Sequence, residues 1–238
     1  AATACTDVGY FPDDPDAADG CAHGTHVASI AAGRPLTLGS GTQVSGVAPS
    51  ASIVAVNVFS LFDAAACASE GDDPDESACV LSYTTDQIRA LDWLYLNRSQ
   101  LNLASVNMSL GGFGNRVTAC GGTAINTSMG LLRNAGIAVV VASGNDASDD
   151  EYVDGISAPA CSPNAISVGA VDDNDVVTSF SNDAPILDLL APGYRILAGI
   201  LTERPDPGQD CQLVPDTTPN SDGVCNWFSQ LSGTSMAA

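Results

Sequence analysis

The chain is 238 residues long and 45% apolar, enough for one sizeable core, and a single α/β domain is the simplest organisation that this length permits. Seven arginines, no lysine, 24 aspartates and four glutamates leave a formal net charge of -21. That field repels phosphate backbones and anionic lipid, so nucleic acid is a poor partner and the acidity reads as a solvated surface.

Residues 1–22 are rich in Asp, Pro, Ala and Gly and predict an irregular surface segment. The small-residue run from His23 to Ala32 predicts a helix stopped by Gly33. Ser52 to Phe59 is apolar and β-branched and predicts a strand, followed over 63–79 by an acidic loop with two cysteines. Thr84 to Arg98 carries Ile88, Leu91 and Leu94 at helical spacing behind a Thr-Thr-Asp start. Val106 to Leu110 predicts a short strand ending in Gly111-Gly112. Ile125, Met129 and Leu132 mark a further helix closed by Gly136, and Ile137 to Ala142 is an almost wholly apolar strand. The apolar strands at 52–59 and 137–142 are expected to be buried on both faces.

Further strands are predicted at Ala165 to Val171, Val176 to Ser181, Leu187 to Leu190 and Ile196 to Ile200, and a long surface loop over 202–226. Strand and helix alternate in the first half, which is the pattern of a parallel β-sheet with helices on both faces. No stretch approaches the roughly 20 apolar residues that cross a bilayer. Eight cysteines, with no C-x-x-C pair and no Cys/His alternation, point to disulfides and an oxidising, extracellular compartment rather than to zinc.

Three segments carry reactive chemistry. The only two histidines stand in His23-Gly24-Thr25-His26, so any imidazole base working near neutral pH is one of them. The pair could also ligate a metal, although no third histidine exists, and no metal ligand can be named. Ala142-Ser143-Gly144-Asn145 ends a buried strand in a turn that presents an amide side chain, at the strand end where parallel sheets bind ligands. Gly233-Thr234-Ser235-Met236-Ala237 places a serine at the start of a helix, where backbone amides favour developing negative charge. Each segment alone also has an ordinary structural explanation, as a helix histidine, a turn or a cap.

Together the three segments resemble the subtilisin-like serine peptidases, the subtilases of peptidase family S8. His23-Gly24-Thr25-His26-Val27-Ala28 is similar to that family's histidine motif, Ala142-Ser143-Gly144-Asn145 to its oxyanion motif, and Gly233-Thr234-Ser235-Met236-Ala237 to its serine motif, in the family's order. Gly46-Val47-Ala48-Pro49, Val106-Asn107-Met108-Ser109-Leu110-Gly111-Gly112 and Ile166-Ser167-Val168-Gly169-Ala170 extend the resemblance along nearly the whole chain from His23.

The resemblance implies a serine endopeptidase in which Ser235 attacks the peptide carbonyl, His23 moves the proton, and Asn145 with the Ser235 backbone N–H stabilises the oxyanion, while His26 is structural. It implies Ser109-Leu110-Gly111 and Ala142-Ser143-Gly144 as the two walls of the pocket for the residue before the cut. It places substrate backbone along Leu81-Ser82-Tyr83, where this chain is bulkier than the family. Polypeptides, and the protein's own propeptide, are the implied partners. No cofactor is implied for the chemistry, and structural calcium is compatible.

The family's aspartate, in an Asp-Thr-Gly or Asp-Ser-Gly turn after an apolar strand, has no counterpart in residues 1–22. Residues 1–238 are therefore expected to be a partial catalytic domain, truncated at both ends, with the aspartate segment and the part after the serine missing. The disulfides are expected between sequence neighbours, Cys5–Cys21, Cys67–Cys79, Cys120–Cys161 and Cys211–Cys225, the third also from similar bridges in related peptidases. A non-catalytic binding or scaffold module on the same fold is the alternative. A calcium-binding surface protein is a third reading, but the Asp-rich stretches lack a recognisable loop spacing.

Overall fold

The computed structural model describes residues 15–38, 40–63, 78–147, 154–200, 218–219 and 225–238. In chain order these form α1 (Pro15–Ala32), β1 (Leu36–Thr37), β2 (Gln43–Val44), β3 (Phe59–Asp63), β4 (Ala78–Ser82), α2 (Thr84–Leu101), β5 (Ser105–Met108), β6 (Gly112–Arg116) and α3 (Ala124–Asn134). There follow β7 (Ala138–Ala142), β8 (Ile156–Ala158), β9 (Ile166–Val171), β10 (Leu189–Pro192), β11 (Ile196–Ile200), β12 (Thr218–Pro219), β13 (Cys225–Leu231) and α4 (Thr234–Ala237). By internal contacts the chain divides into two units, Ala1–Asp86 with Ala198–Ser229, and Gln87–Leu197 with Gln230–Ala238.

The first unit is organised around α1. Its end is capped by backbone alone: Gly33 N–H donates to the Ser29 carbonyl at 2.8 Å, and the N–H groups of Gly46, Val47 and Ala48 donate to the carbonyls of Gly33, Ile30 and Ala31 at 2.8, 2.9 and 2.8 Å. The Ser29, Ile30 and Ala31 carbonyls are among those a helix terminus leaves unpaired. A side chain at Gly46 would overlap the backbone of Ala32 and Gly33, so the capping segment needs glycine there. Gly199 N–H donates to Ser29 Oγ at 3.0 Å. The hairpin β3–β4 is antiparallel, with Phe59 opposite Ser82.

The second unit holds a four-stranded sheet in the order β10-β9-β7-β5, with every pairing parallel. Parallel neighbours need a crossover, and α3 supplies the one between β5 and β7. Thr123 Oγ accepts from Asn126 N–H at 3.3 Å to start α3. At the other end Gly136, at φ +79°, lets its own N–H reach the Arg133 carbonyl and Ile137 N–H reach the Leu132 carbonyl, at 2.9 and 3.0 Å. That paired closure is the Schellman arrangement, and it requires a left-handed residue. Ile125, Met129 and Leu132 on α3 and Leu91 and Leu94 on α2 bury against Val106, Met108, Val139 and Val141 of the sheet. Cys120 and Cys161 are disulfide-bonded, at a sequence separation of 41. The other three expected pairings lie outside the described residues or side chains.

Four expectations are corrected. Helix α1 begins at Pro15, so residues 15–22 are helical and not irregular. Residues 51–58 belong to no strand, and Ile53 is 50% exposed, because no described segment pairs with this stretch on either side. Val176 to Ser181 forms no strand beyond a single antiparallel bridge of Val177 with Val171. The reason is that β10 lines one edge of β9 and β7 lines the other as far as Val168, leaving only Gly169 to Val171 open. Asp172 closes the intervening turn, accepting from the N–H groups of Val176 and Asn174 at 3.0 and 2.8 Å, which holds its carboxyl below the ordinary value. Within the expected loop 202–226, residues 218–219 and 225–226 are strand residues, and β13 runs on to Leu231.

Leu132 is fully buried in the second unit, whereas Leu96 on α2 is 74% exposed. Leu132→Ala is expected to cost about 2–5 kcal/mol and Leu96→Ala less than about 0.5 kcal/mol, read as shifts of the urea unfolding midpoint.

Candidate active site

Adjacent parallel strands release their chains at the same edge of the sheet. β5 and β7 pair with Met108 opposite Val141, so Ser109-Leu110-Gly111 and Ala142-Ser143-Gly144 leave side by side at the carboxyl ends. Between them stands Ser157 of β8. Its N–H donates to the Ser143 carbonyl at 2.8 Å, and Cβ atoms built on Gly111 and Gly144 would lie 2.7 and 3.1 Å from its Oγ. Ser157 is 2% exposed, and its hydroxyl has no hydrogen-bond partner among the described residues. Nothing in the stretch Ile156-Ser157-Ala158 singles this serine out in sequence.

Gly144 has φ +112°, and a side chain there would overlap the Asn182 amide. Only glycine makes this turn without strain. The next residue, Asn145, is exposed, yet its side chain has one orientation. Its Oδ1 accepts from the backbone N–H of Thr234 and from Thr234 Oγ1, both at 2.9 Å. A backbone N–H can only donate, so the amide oxygen must face Thr234 and the NH₂ group must turn the other way. That Nδ2 lies 3.3 Å from where a Cβ on Gly233 would stand, and it makes no hydrogen bond among the described residues. It is a donor aimed and unused.

Ser235 follows Thr234 in α4. Thr234 and Met236 are buried on either side of it, while Ser235 is half-buried, so the two neighbours anchor the turn and the serine faces outward. Its carbonyl accepts from Ser109 Oγ at 2.6 Å, and Asn107 Nδ2 donates to Ser109 Oγ at 3.1 Å. Gly233 N–H donates to the Gly193 carbonyl at 2.8 Å. A side chain at Gly193 would come within 2.7 Å of both the Gly233 carbonyl and Ala170 Cβ, so glycine lets the serine turn close onto the sheet. Asn145, Ser235 and both walls therefore belong to one unit. Sequence reasoning missed Thr234 as the group that orients Asn145, reading it only as part of a motif.

His23 lies on α1, half-buried, in the other unit. His26, one turn on, is fully buried and donates Nε2–H to the Ser229 carbonyl at 3.1 Å, which sets its tautomer. Leu81 and Ser82 lie on β4, with Ser82 Oγ donating to the Val58 carbonyl at 2.9 Å and the Tyr83 ring edge-on to Phe62 at 5.3 Å. Among the described residues no group of three or more His, Cys, Asp or Glu side chains is arranged to hold a metal ion.

A family model described as the subtilase family, peptidase S8, matches residues 5–238. The chain belongs to the subtilase family. The cuticle-degrading serine protease of Arthrobotrys oligospora is 32% identical to it over 194 residues, covering 82% of this chain and 38% of that protein. Subtilisin E of Bacillus subtilis is 35% identical over 178 residues, 75% of this chain and 38% of that one. Among solved structures, the prenylagaramide maturation protease PagA superposes with a TM-score of 0.59 at 26% identity, covering 91% of this chain and 59% of that chain. This subtilase chain thus spans about two fifths of the length of those curated relatives.

Gly144→Ala combines a left-handed backbone with an overlap onto a buried amide, while Gly121 meets only Pro163, at 3.8 Å, with no left-handed φ. Thermal unfolding is expected to show Gly144→Ala destabilised by more than about 1 kcal/mol and Gly121→Ala close to neutral.

Proposed function

We propose that the protein is a serine endopeptidase working through Ser235, His23 and an oxyanion site built on Asn145. The observation that carries this reading is the Thr234 clamp: the residue next to the serine holds the Asn145 oxygen at 2.9 Å and leaves the amide NH₂ directed away from it, unused. In the proposed reaction Ser235 Oγ bonds to the carbonyl carbon of the peptide while His23 takes its proton. The carbonyl oxygen becomes an anion between Asn145 Nδ2 and the Ser235 backbone N–H. The C–N bond then breaks, with the amine leaving on the proton from His23, and water attacks the acyl-enzyme by the same path in reverse. Nucleophile, base and oxyanion donors are all protein groups, so the chemistry asks for no cofactor.

The substrate class follows from the walls. Ser109, Leu110, Gly111, Ala142, Ser143 and Gly144 carry no charge, so the preference is broad with an apolar bias at the residue before the cut. Secretion is supported by the Cys120–Cys161 disulfide, which persists in oxidising compartments. Among the described residues no helix is long and apolar enough to cross a membrane. A propeptide as partner, and calcium as a structural ion, rest on family resemblance.

No aspartate in residues 1–22 stands in the family's Asp-Thr-Gly or Asp-Ser-Gly form, so we expect residues 1–238 alone to lack appreciable turnover. In subtilisin itself, removal of the aspartate lowers kcat by about 3 × 10⁴, and a loss of that order is expected by family likeness. A complete reading frame with an apolar strand ending in such a turn favours the enzyme; one without it favours the scaffold alternative.

The protein from the complete reading frame is expected to be inactivated by serine-directed phosphonylating reagents with the label on Ser235, and to lose casein hydrolysis in Ser235→Ala. Label on another residue, or full activity in Ser235→Ala, refutes the assignment. Asn145→Leu should lower kcat by about 10² to 10³ with a small change in KM, a magnitude that belongs to the equivalent donor in subtilisin. Strict cleavage after Lys or Arg in a peptide library would contradict the uncharged pocket.

A further inference from the structure

Asn182 is fully buried in the segment that follows β9, and both hydrogens and the oxygen of its amide are hydrogen-bonded. Its Nδ2 donates to Asp146 Oδ2 at 2.7 Å and to Asn115 Oδ1 at 3.1 Å, and its Oδ1 accepts from Asp146 N–H at 2.8 Å. Its backbone N–H donates to the Gly144 carbonyl at 3.0 Å, and its carbonyl accepts from Ser143 Oγ at 3.1 Å. Four of these five bonds reach Ser143, Gly144 and Asp146, the residues on either side of Asn145, and none reaches Asn145 itself. The turn is gripped on both flanks while the amide it presents stays open.

We propose that Asn182 is a positioning residue that aims Asn145 at the oxyanion. The inference rests on the protease reading and adds to it a group that never touches substrate. The Thr234 clamp sets which atom of the Asn145 amide faces the serine turn. Asn182 sets where the Cα of Asn145 stands, because both peptide groups around it are tied to one buried side chain and its backbone. Oxyanion stabilisation needs a donor about 2.7–3.1 Å from the developing charge, and misplacement by about 1 Å can cost 10²-fold.

The side chain is matched to the task. Leucine has a similar volume but would leave the Asp146 N–H and carboxylate without their buried partner. Aspartate keeps the acceptor for Asp146 N–H yet sets a second carboxylate against the first, which disfavours both staying ionised. Segment 178–182 is itself held, with Ser181 N–H donating to the Thr178 carbonyl at 3.1 Å and Ser181 Oγ accepting from Ala170 N–H at 3.0 Å, so the grip is anchored to β9.

The test measures kcat and KM on a peptide anilide for Asn182→Leu and Asn182→Asp, each in the parent protein from the complete reading frame and in an Asn145→Leu background. In the parent, both variants are expected to lose about 10-fold or more in kcat with KM changing less than about 3-fold. In the Asn145→Leu background the same substitutions should change kcat by less than about 3-fold, since the donor they aim is gone. Amide exchange at Asp146 should quicken in Asn182→Leu, which removes the acceptor of that N–H, while α3 keeps its protection. Equal kcat losses in the two backgrounds, a change in KM alone, or kcat at the parent value overturns the proposal. If Asn182→Leu fails to fold, Asn182→Asp decides by the same criteria. A parent without Ser235-dependent turnover overturns the protease reading and this proposal together, whereas an active parent with an unresponsive Asn182 overturns the proposal alone.

Discussion

The hydrogen bond from Thr234 N–H to Asn145 Oδ1 is the constraint on which the site depends. It joins the carboxyl end of a central parallel strand to a four-residue helix 89 positions later in the chain. Because a main-chain N–H cannot accept, the bond also removes the two-fold ambiguity of a carboxamide and leaves the donor end facing away. Gly144 must be glycine so that the strand can turn into this contact, and Gly193 must be glycine so that the serine turn can reach it. The serine's carbonyl is then pinned by Ser109 from the opposite wall.

The sheet determines how these pieces meet. Parallel pairing of β5 with β7 and of β7 with β9 sends successive chain exits to one edge, so two wall segments and the serine turn converge without any charged group among the walls. The hydroxyl of Ser157, between those segments, is buried without a hydrogen-bond partner among the described residues. A hydroxyl out of water without a partner is costly, of order 1–3 kcal/mol, and each such group in a folded chain calls for an explanation such as a bound water or ion.

The histidine segment follows a different physical logic. His23 and His26 are three residues apart on α1, and the local structure treats them unequally. His26 is buried whole and donates to a carbonyl of β13, so it serves the packing of its own helix, while His23 remains half-buried. At the end of α1 the Ile30 and Ala31 carbonyls accept from the N–H groups of Val47 and Ala48, so the Gly-Val-Ala segment caps the helix that carries the histidine motif.

By itself the sequence determined the family, through three short motifs in order, together with the parallel sheet, the helices around Leu91 and Met129, and the Cys120–Cys161 pairing. These were legible because each rests on local chemistry, on a family's motif or on a period of hydrophobicity that survives whatever surrounds it. Ser52 to Phe59 and Val176 to Ser181 have equally good strand composition and are not strands over those spans, because a strand is made by its neighbours: residues 51–58 pair with no described strand, and the second segment meets β9 where only Gly169 to Val171 are open on one edge. Thr234, Ser157 and Asn182 were invisible for a related reason. Their importance lies in which distant atoms their hydroxyls and amides face, 36 to 89 residues away for Asn182 and Thr234, and no local pattern encodes that. Only the tertiary structure decided it, since hydrogen bonds are directional and short, and a buried donor's role is set by the one acceptor the fold brings within about 3 Å.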